Sequence, residues 1–296
     1  MTVILTDVVL RDGVQDEPYV MSTEDKLAVA EALVAAGLPE LEIASFVHPK
    51  RVPQMADAEK VLAQFPRRPG VRVRAIALNL RGAQRAAATE LDELALVVSA
   101  SAGHSQANSG RDVDQALDEV AAAVSEVQDV PVMGAVATAF VSQDEGRIPA
   151  DRLVSMVRRY HAAGIRRVGL ADTLGTAKPE EVVESVGAVL DAMPDLEVAL
   201  HLHDPHGAVL PTVDAAYDLG IRRFDSALAG FGGCPAIPDP HGNMATESVV
   251  RHLHRRGIDT GVDEEALAEA VRILHSAIAR ATPLASGGFQ DREPVP

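Results

Sequence analysis

The sequence predicts an α/β chain folded as a single (β/α)8 TIM barrel with an additional C-terminal helix. Short apolar runs alternate with longer amphipathic segments about eight times along the 296 residues. Short β-branched or apolar runs of this kind, separated by helical crossovers, are the mark of strands buried on both faces of a parallel sheet. A doubly wound open sheet is the alternative, but it usually carries a Gly-rich phosphate turn after its first strand. Here that strand runs into "LRDGVQDEP", with no G-x-G-x-x-G.

The strand candidates, in order, are "VILTDVVL", "ELEIASF", "VRVRAIALN", "ELALVVSA", "VPVMGAVATAF", "RRVGLAD", "LEVALHLHD" and "RRFDSALAG". Between them stand helical patterns such as "STEDKLAVAEALVAAG", "DVDQALDEVAAAVSEVQ", "PADRLVSMVRRYHAAG" and "KPEEVVESVGAVLDAM". Ser22 or Thr23 precedes acidic residues, Pro149 and Pro179 suit first helical turns, and Gly37 and Gly164 suit helix ends. A last helix, "DEEALAEAVRILHSAIARA", extends beyond the eighth unit. Residues 1–282 are therefore expected to form one catalytic barrel including that helix, and 283–296 a disordered tail.

Hydrophobic residues make up 47% of the chain, enough for a large core, and with no Trp that core must be built from Val, Leu, Ile and Ala. The formal net charge of −16 argues against a nucleic-acid partner, because phosphate backbones would be repelled. The basic run "FPRRPGVRVR" (Arg67, Arg68, Arg72, Arg74) reads as a solvated loop and strand edge rather than an anion site. The N-terminal segment resembles no signal peptide, and no stretch has the roughly 18 apolar residues needed to span a bilayer. A lone cysteine cannot form an intrachain disulfide. A cytoplasmic protein without membrane partners is expected.

Polar residues gather where the strands end, which in such barrels is the catalytic face. Arg11 and Asp12 follow the first strand, Glu42 to Ser45 lie in the second, and Asn79 ends the third. Asp172 and Thr173 end the sixth, and His201, His203 and Asp204 end the seventh. Residues i and i+2 of a strand point to the same side, so His201 and His203 can meet one cation, with Asp12 nearby. The second such pair, His252 and His254, falls in a helical pattern, where i and i+2 diverge by about 200°. Imidazole with carboxylate and amide oxygens suits Mg2+, Mn2+ or a similar ion, not a thiolate zinc site. After the eighth strand, the lone Cys234 sits in a Gly/Pro loop, an unusual place for a core cysteine and a fitting one for chemistry. Asn243 opens the next helix as an N-cap that can also offer an oxygen to a metal.

Together, "LRDGVQDE", "LEIASFVHPKRVPQMAD", "LADTLGTAKP", "HLHD", "AGFGGCP" and "GNMATE" resemble the 3-hydroxy-3-methylglutaryl-CoA (HMG-CoA) lyase family of metal-dependent carbon–carbon lyases. The resemblance spans nearly the whole chain in family order. It implies cleavage of HMG-CoA to acetoacetate and acetyl-CoA, as in leucine breakdown, an acyl-CoA substrate and a homodimer. Asp12, His201, His203 and Asn243 match the family's ligands for Mg2+ or Mn2+. Arg11 matches the arginine that stabilises the enolate, and Cys234 the loop cysteine that moves a proton. Asp12 or His201 is the candidate base for the substrate hydroxyl. Gln15, Glu42, Ser45, Asp172 and Glu247 fall in the matching segments as the residues expected to bind substrate and order the site.

The chain departs from the family at Pro18, where a lysine is common, and in "ATAFVSQDEG" and "AIPDPHG", loops that border the substrate entrance. These differences point to a second reading, a related lyase or aldolase for another 3-hydroxy-3-substituted acyl-CoA or hydroxy acid. A third, a catalytically silent barrel, would first have lost the metal ligands, Arg11 or Cys234, and all are present.

Overall fold

In the computed structural model, which describes residues 2–233 and 242–284, the eight apolar runs become parallel strands. They are β1 (Ile4–Asp7), β2 (Glu40–Ser45), β3 (Arg72–Ala77), β4 (Glu93–Ser99), β5 (Val132–Ala137), β6 (Arg167–Asp172), β7 (Glu197–Leu202) and β8 (Arg223–Ser226). Their order round the ring follows the sequence, and β1 pairs with both β2 and β8, so the sheet closes as a (β/α)8 barrel. Strand backbones bury on both faces because helices cover the outside; all six residues of β2 are buried.

The helices begin and end where local chemistry dictates. Ser22, not Thr23, caps α1 (Thr23–Ala35), accepting from the Asp25 N–H at 3.0 Å. Asp112 and Gln115 form a capping box on α5 (Val113–Glu126). Pro149 stands just before α6 (Ala150–Ala162), and Pro179 opens α7 (Pro179–Ala192). Gly37 and Gly164 leave their helices at φ 92° and 95°, which only glycine adopts without strain. The helix α10 (Glu264–Arg280) buries Leu267, Ala270, Leu274 and Ala277 against α1, and Arg280 pairs with Asp25. Thr282 and Pro283 pair antiparallel with Tyr19 and Val20, so pairing continues to the first residue of the expected tail; residues 285–296 lie outside the described set. No helix among the described residues is long and apolar enough to cross a membrane.

Two irregularities shape the catalytic end. The first strand stops at Asp7, earlier than its apolar pattern suggests. Asp7 Oδ1 accepts from the Val9 N–H, and the Val8 carbonyl gathers the N–H groups of Arg11, Asp12 and Gly13 in one π-helical turn, Val9–Gly13. Such wide turns are common at functional sites because they displace side chains that a regular helix or strand would present elsewhere. In β2 the register with β3 slips between Glu42 and Ala44. This bulge lets Glu42 and Ser45, three residues apart, both face the lumen, where regular alternation would put them on opposite sides.

The N-terminal end is closed by ions rather than apolar side chains. Arg223 bonds Glu40 at 2.8 Å and Glu197 at 2.7 Å, and Arg167 bonds Glu93 at 2.9 Å. The basic run is split by the fold: Arg67 and Arg68 lie in a loop, but Arg72 joins this ion layer and Arg74 enters the lumen. The reading of Arg74 as part of a solvated edge is therefore corrected. In the strand "RVRAIA", Arg74 shares the inward face with Ile76, and its charge is met there by Glu42 and Asp225, leaving the side chain buried.

Candidate active site

A cavity of about 250 Å³ opens at the C-terminal end of the barrel. At its mouth the predicted cation ligands converge. His201 and His203 come from the end of β7 as i and i+2 residues, with Nε2 atoms 3.2 Å apart. Asp12 Oδ2 lies 3.9 Å and 3.8 Å from them, brought in by the π-helical turn. Asn243 reaches the same carboxylate, its Nδ2 2.6 Å from Asp12 Oδ2 and 3.0 Å from the Phe231 carbonyl. Asn243 is not the expected N-cap, since α9 (Thr246–Arg255) starts after Ala245. Instead Asn243 bridges the His203 backbone, which seats its amide beside Asp12.

A hard divalent ion with bonds of about 2.1 Å holds neighbouring donors roughly 3 Å apart. The two imidazoles stand at that spacing, and Asp12 is within about 1 Å of it, so Asp12, His201 and His203 form a group able to hold a metal ion. Charge agrees with geometry. Three carboxylates (Asp12, Glu42, Asp225) face two guanidiniums (Arg11, Arg74), an excess of negative charge that favours a cation. Burial alone would raise the Asp12 carboxyl, but Arg11 and the two imidazoles pull it down to about 2, so it stays an anionic donor.

Behind these residues runs a buried relay. Arg11 bridges Asp12 and Glu42; Glu42 bonds Arg74; Arg74 reaches Asp225 at 2.8 Å; and Asp225 Oδ2 lies 3.3 Å from His201 Nδ1. Burial would raise Asp225 as well, but Arg74 and His201 hold it well below the carboxylate range. An anionic Asp225 fixes the proton of His201 on Nδ1 and turns the Nε2 lone pair to the centre, as carboxylates commonly do for metal-binding imidazoles. Sequence reasoning missed Arg74 and Asp225. The alternation in "VRVRAIA" signals an inward Arg74, and Asp225 within "RRFDSALAG" is a buried acid in an apolar strand.

Of the other expected residues, Gln15, Glu42 and Ser45 line the cavity. Asp172 and Glu247 are not on its wall. Asp172 Oδ2 accepts from the Ala177 N–H at 3.0 Å, tying the turn after β6, and burial pushes this carboxyl up to about 6 against the pull of nearby backbone N–H groups. Glu247 accepts from the Ala229 N–H at 3.1 Å and supports a residue held at φ 57°, just before the glycine loop. Asn79 caps α3 (Leu80–Ala87), accepting from Gly82 at 2.8 Å. Cys234 lies outside the described residues, although Gly233, its neighbour, borders the cavity. The second histidine pair diverges as expected on a helix: His252 bonds Asp214 at 2.7 Å, and His254 bonds Glu264 and Thr260, both at 2.9 Å. Asp16, not anticipated, lines the cavity with both carboxyl oxygens buried and without hydrogen-bond partners among the described residues. Burial, with the Asp12 charge, pushes it up to about 8.

A parallel barrel with carboxylate and imidazole donors at its C-terminal mouth and a guanidinium beside them defines a (β/α)8-barrel enzyme equipped to stabilise developing oxyanions. The HMGL-like family model matches residues 2–274, and the chain belongs to that family, as a carbon–carbon lyase. The (R)-citramalyl-CoA lyase of Chloroflexus aurantiacus is 35% identical over 297 residues, covering 96% of this chain and 94% of the relative. The hydroxymethylglutaryl-CoA lyase YngG of Bacillus subtilis is 32% identical over 283 residues, covering 95% of each. Among solved structures, an HMG-CoA lyase from Acinetobacter baumannii in complex with coenzyme A and 3-methylmalate superposes with a TM-score of 0.90 at 36% identity. That match covers 100% of this chain and 98% of the other.

Proposed function

We propose that this barrel, acting with its C-terminal helix as one catalytic domain, is a divalent-metal-dependent lyase that cleaves HMG-CoA to acetoacetate and acetyl-CoA. The observation that carries the reading is the convergence of Asp12, His201 and His203 beside Arg11 at the mouth of an HMGL-like barrel. Mg2+ or Mn2+, held by these three residues with Asn243, would supply Lewis acidity that lowers the pKa of the substrate hydroxyl. The remaining work falls to the chain. The tertiary hydroxyl gives its proton at the Asp12–His201 pair, the C2–C3 bond breaks, and C3 becomes the ketone carbon.

The electron pair passes to C2 as the enolate of acetyl-CoA. Arg11, locked between Asp12 and Glu42 and held in its charged form by them, sets positive charge against the developing enolate oxygen. Glu42 and Gln15 order this wall, and the thiol of Cys234, one residue beyond the cavity-lining Gly233, returns a proton to C2. Asp172 and Glu247 act through the turns they tie.

The similarity to a citramalyl-CoA lyase supports a second substrate. Citramalyl-CoA carries the same 3-hydroxy-3-methyl carbon with one methylene fewer before its carboxylate, and its cleavage yields pyruvate in place of acetoacetate. The purified protein loaded with Mn2+ should be offered each thioester separately and the keto acid identified. Acetoacetate at the higher kcat/KM supports the first substrate, and pyruvate the second. If Mn2+ binds and neither acid is released, the reading is wrong.

A further inference from the structure

Barrel lumens of this kind are normally packed by bulky branched side chains. Here three adjacent strands present very small ones: Ala95 on β4, Ala135 on β5, and Gly169 and Ala171 on β6, all bordering the cavity. The strand register makes them one surface. Ala171 pairs with His201, Gly169 with Ala135, and Ala135 with Val97. The row therefore starts beside a candidate metal ligand and crosses the lumen. Ala135, Ala171 and Val97 are only half-buried although they sit within a closed barrel, so the area they expose belongs to the cavity. At the foot of this wall Ile76, Ala95 and Met133 form an apolar cluster separate from the main core.

The facing wall, from β7 round to β3, carries Arg11, Glu42, Arg74, His201 and Asp225. Two of its buried polar atoms, Ser45 Oγ and Asp225 Oδ1, have no hydrogen-bond partner among the described residues. Ser45 is 0% exposed and Asp225 8%, and both border the cavity. Buried polar atoms left without partners in a cavity wall call for a polar ligand head. The ligand that fits is thus two-sided, with oxygen-rich groups on one wall and hydrocarbon against the other. The whole cavity measures about 250 Å³, and along the second wall Ala95, Ala135, Gly169 and Ala171 leave open the space that bulky branched side chains would otherwise fill, room for more than a methyl group.

We infer that the site accepts, and prefers to the methyl group of HMG-CoA, an alkyl branch of two to four carbons at C3 of the substrate, lying across Ala171, Ala135 and Val97. The inference deepens the lyase reading and rests on it. The reaction is unchanged and needs no co-reactant. The hydroxyl proton leaves, C2–C3 breaks, C2 gains a proton, and the products are acetyl-CoA and a 3-keto acid bearing the longer chain.

The test is a series of 3-hydroxy-3-alkylglutaryl-CoA thioesters, from methyl to butyl, with the Mn2+-loaded protein and acetyl-CoA release as readout. Each buried methylene should raise kcat/KM roughly fourfold, so the propyl compound should exceed the methyl one by about 10-fold or more. Ala135→Leu, which fills the apolar wall, should reverse that ratio. The wild-type series decides the matter even if the variant fails to fold. A kcat/KM that falls with each added carbon overturns the inference and leaves the lyase reading standing. No acetyl-CoA from any member, methyl included, overturns both.

Discussion

His201 and His203 converge because a strand repeats every two residues, and His252 and His254 diverge because a helix repeats every 3.6. That distinction was legible from the sequence, and so were Asp12 and Arg11, which the turn after β1 delivers to the same mouth. Arg74 and Asp225 were not, since they are 151 residues apart and each makes sense in the lumen only once the other is there to neutralise it. If Asp225 orients His201 as described, Asp225→Asn should weaken Mn2+ binding by about 10- to 100-fold, the usual cost of losing such a partner. Mn2+ titration followed by electron paramagnetic resonance reads this directly. An unchanged affinity would show that His201 is held by something else.

Among the elements, the helix boundaries followed from Ser22, Pro179, Gly37 and their like, because capping is a local matter. The bulge in β2 and the π-helical turn after β1 left no comparable trace: "ELEIAS" and "VILTDVVL" read as regular strands, and only closure of the ring forces the departures. Gly13 is the weak point of the turn. A Cβ there would lie 2.7 Å from Val9 Cγ2 and 3.3 Å from Phe231 Cβ. Gly13→Ala should cost about 1–3 kcal/mol of stability by overpacking. It should also shift Asp12 and lower metal affinity, to be checked by denaturant unfolding alongside metal titration. Wild-type stability and affinity would refute the tight fit.

At the scale of the molecule, the closed barrel was readable from the eightfold alternation, whereas the ionic layer at its N-terminal end was not. The partners in that layer come from six different strands that meet only after closure. Global stability should also depend on a buried acid of β1. Burial pushes Asp7 up to about 7 from 3.8, against the pull of its bonds from Thr246 and Val9. Between those values the folded state binds more protons than the unfolded one, so stability falls as pH rises from about 4 to about 7 and levels off above. A neutral Asp7 can donate to Thr246 Oγ1, whose own proton then goes to Ser226 Oγ at 2.8 Å. Asp7→Asn keeps that arrangement and should flatten this part of the pH dependence, leaving the variant more stable than wild type by a few kcal/mol at pH 8. Urea midpoints from pH 4 to 8 provide the check, and an unaltered slope would contradict it.

We assign carbon–carbon cleavage to the Asp12–His201–His203 centre. The most direct test is acetyl-CoA release from HMG-CoA and citramalyl-CoA by wild type and His203→Gln, each with Mn2+ and with chelator. Release by the Mn2+-loaded wild type alone, lost with chelator and in the variant, is the predicted result. Cleavage that persists in chelator, or proceeds equally well in the variant, would contradict it.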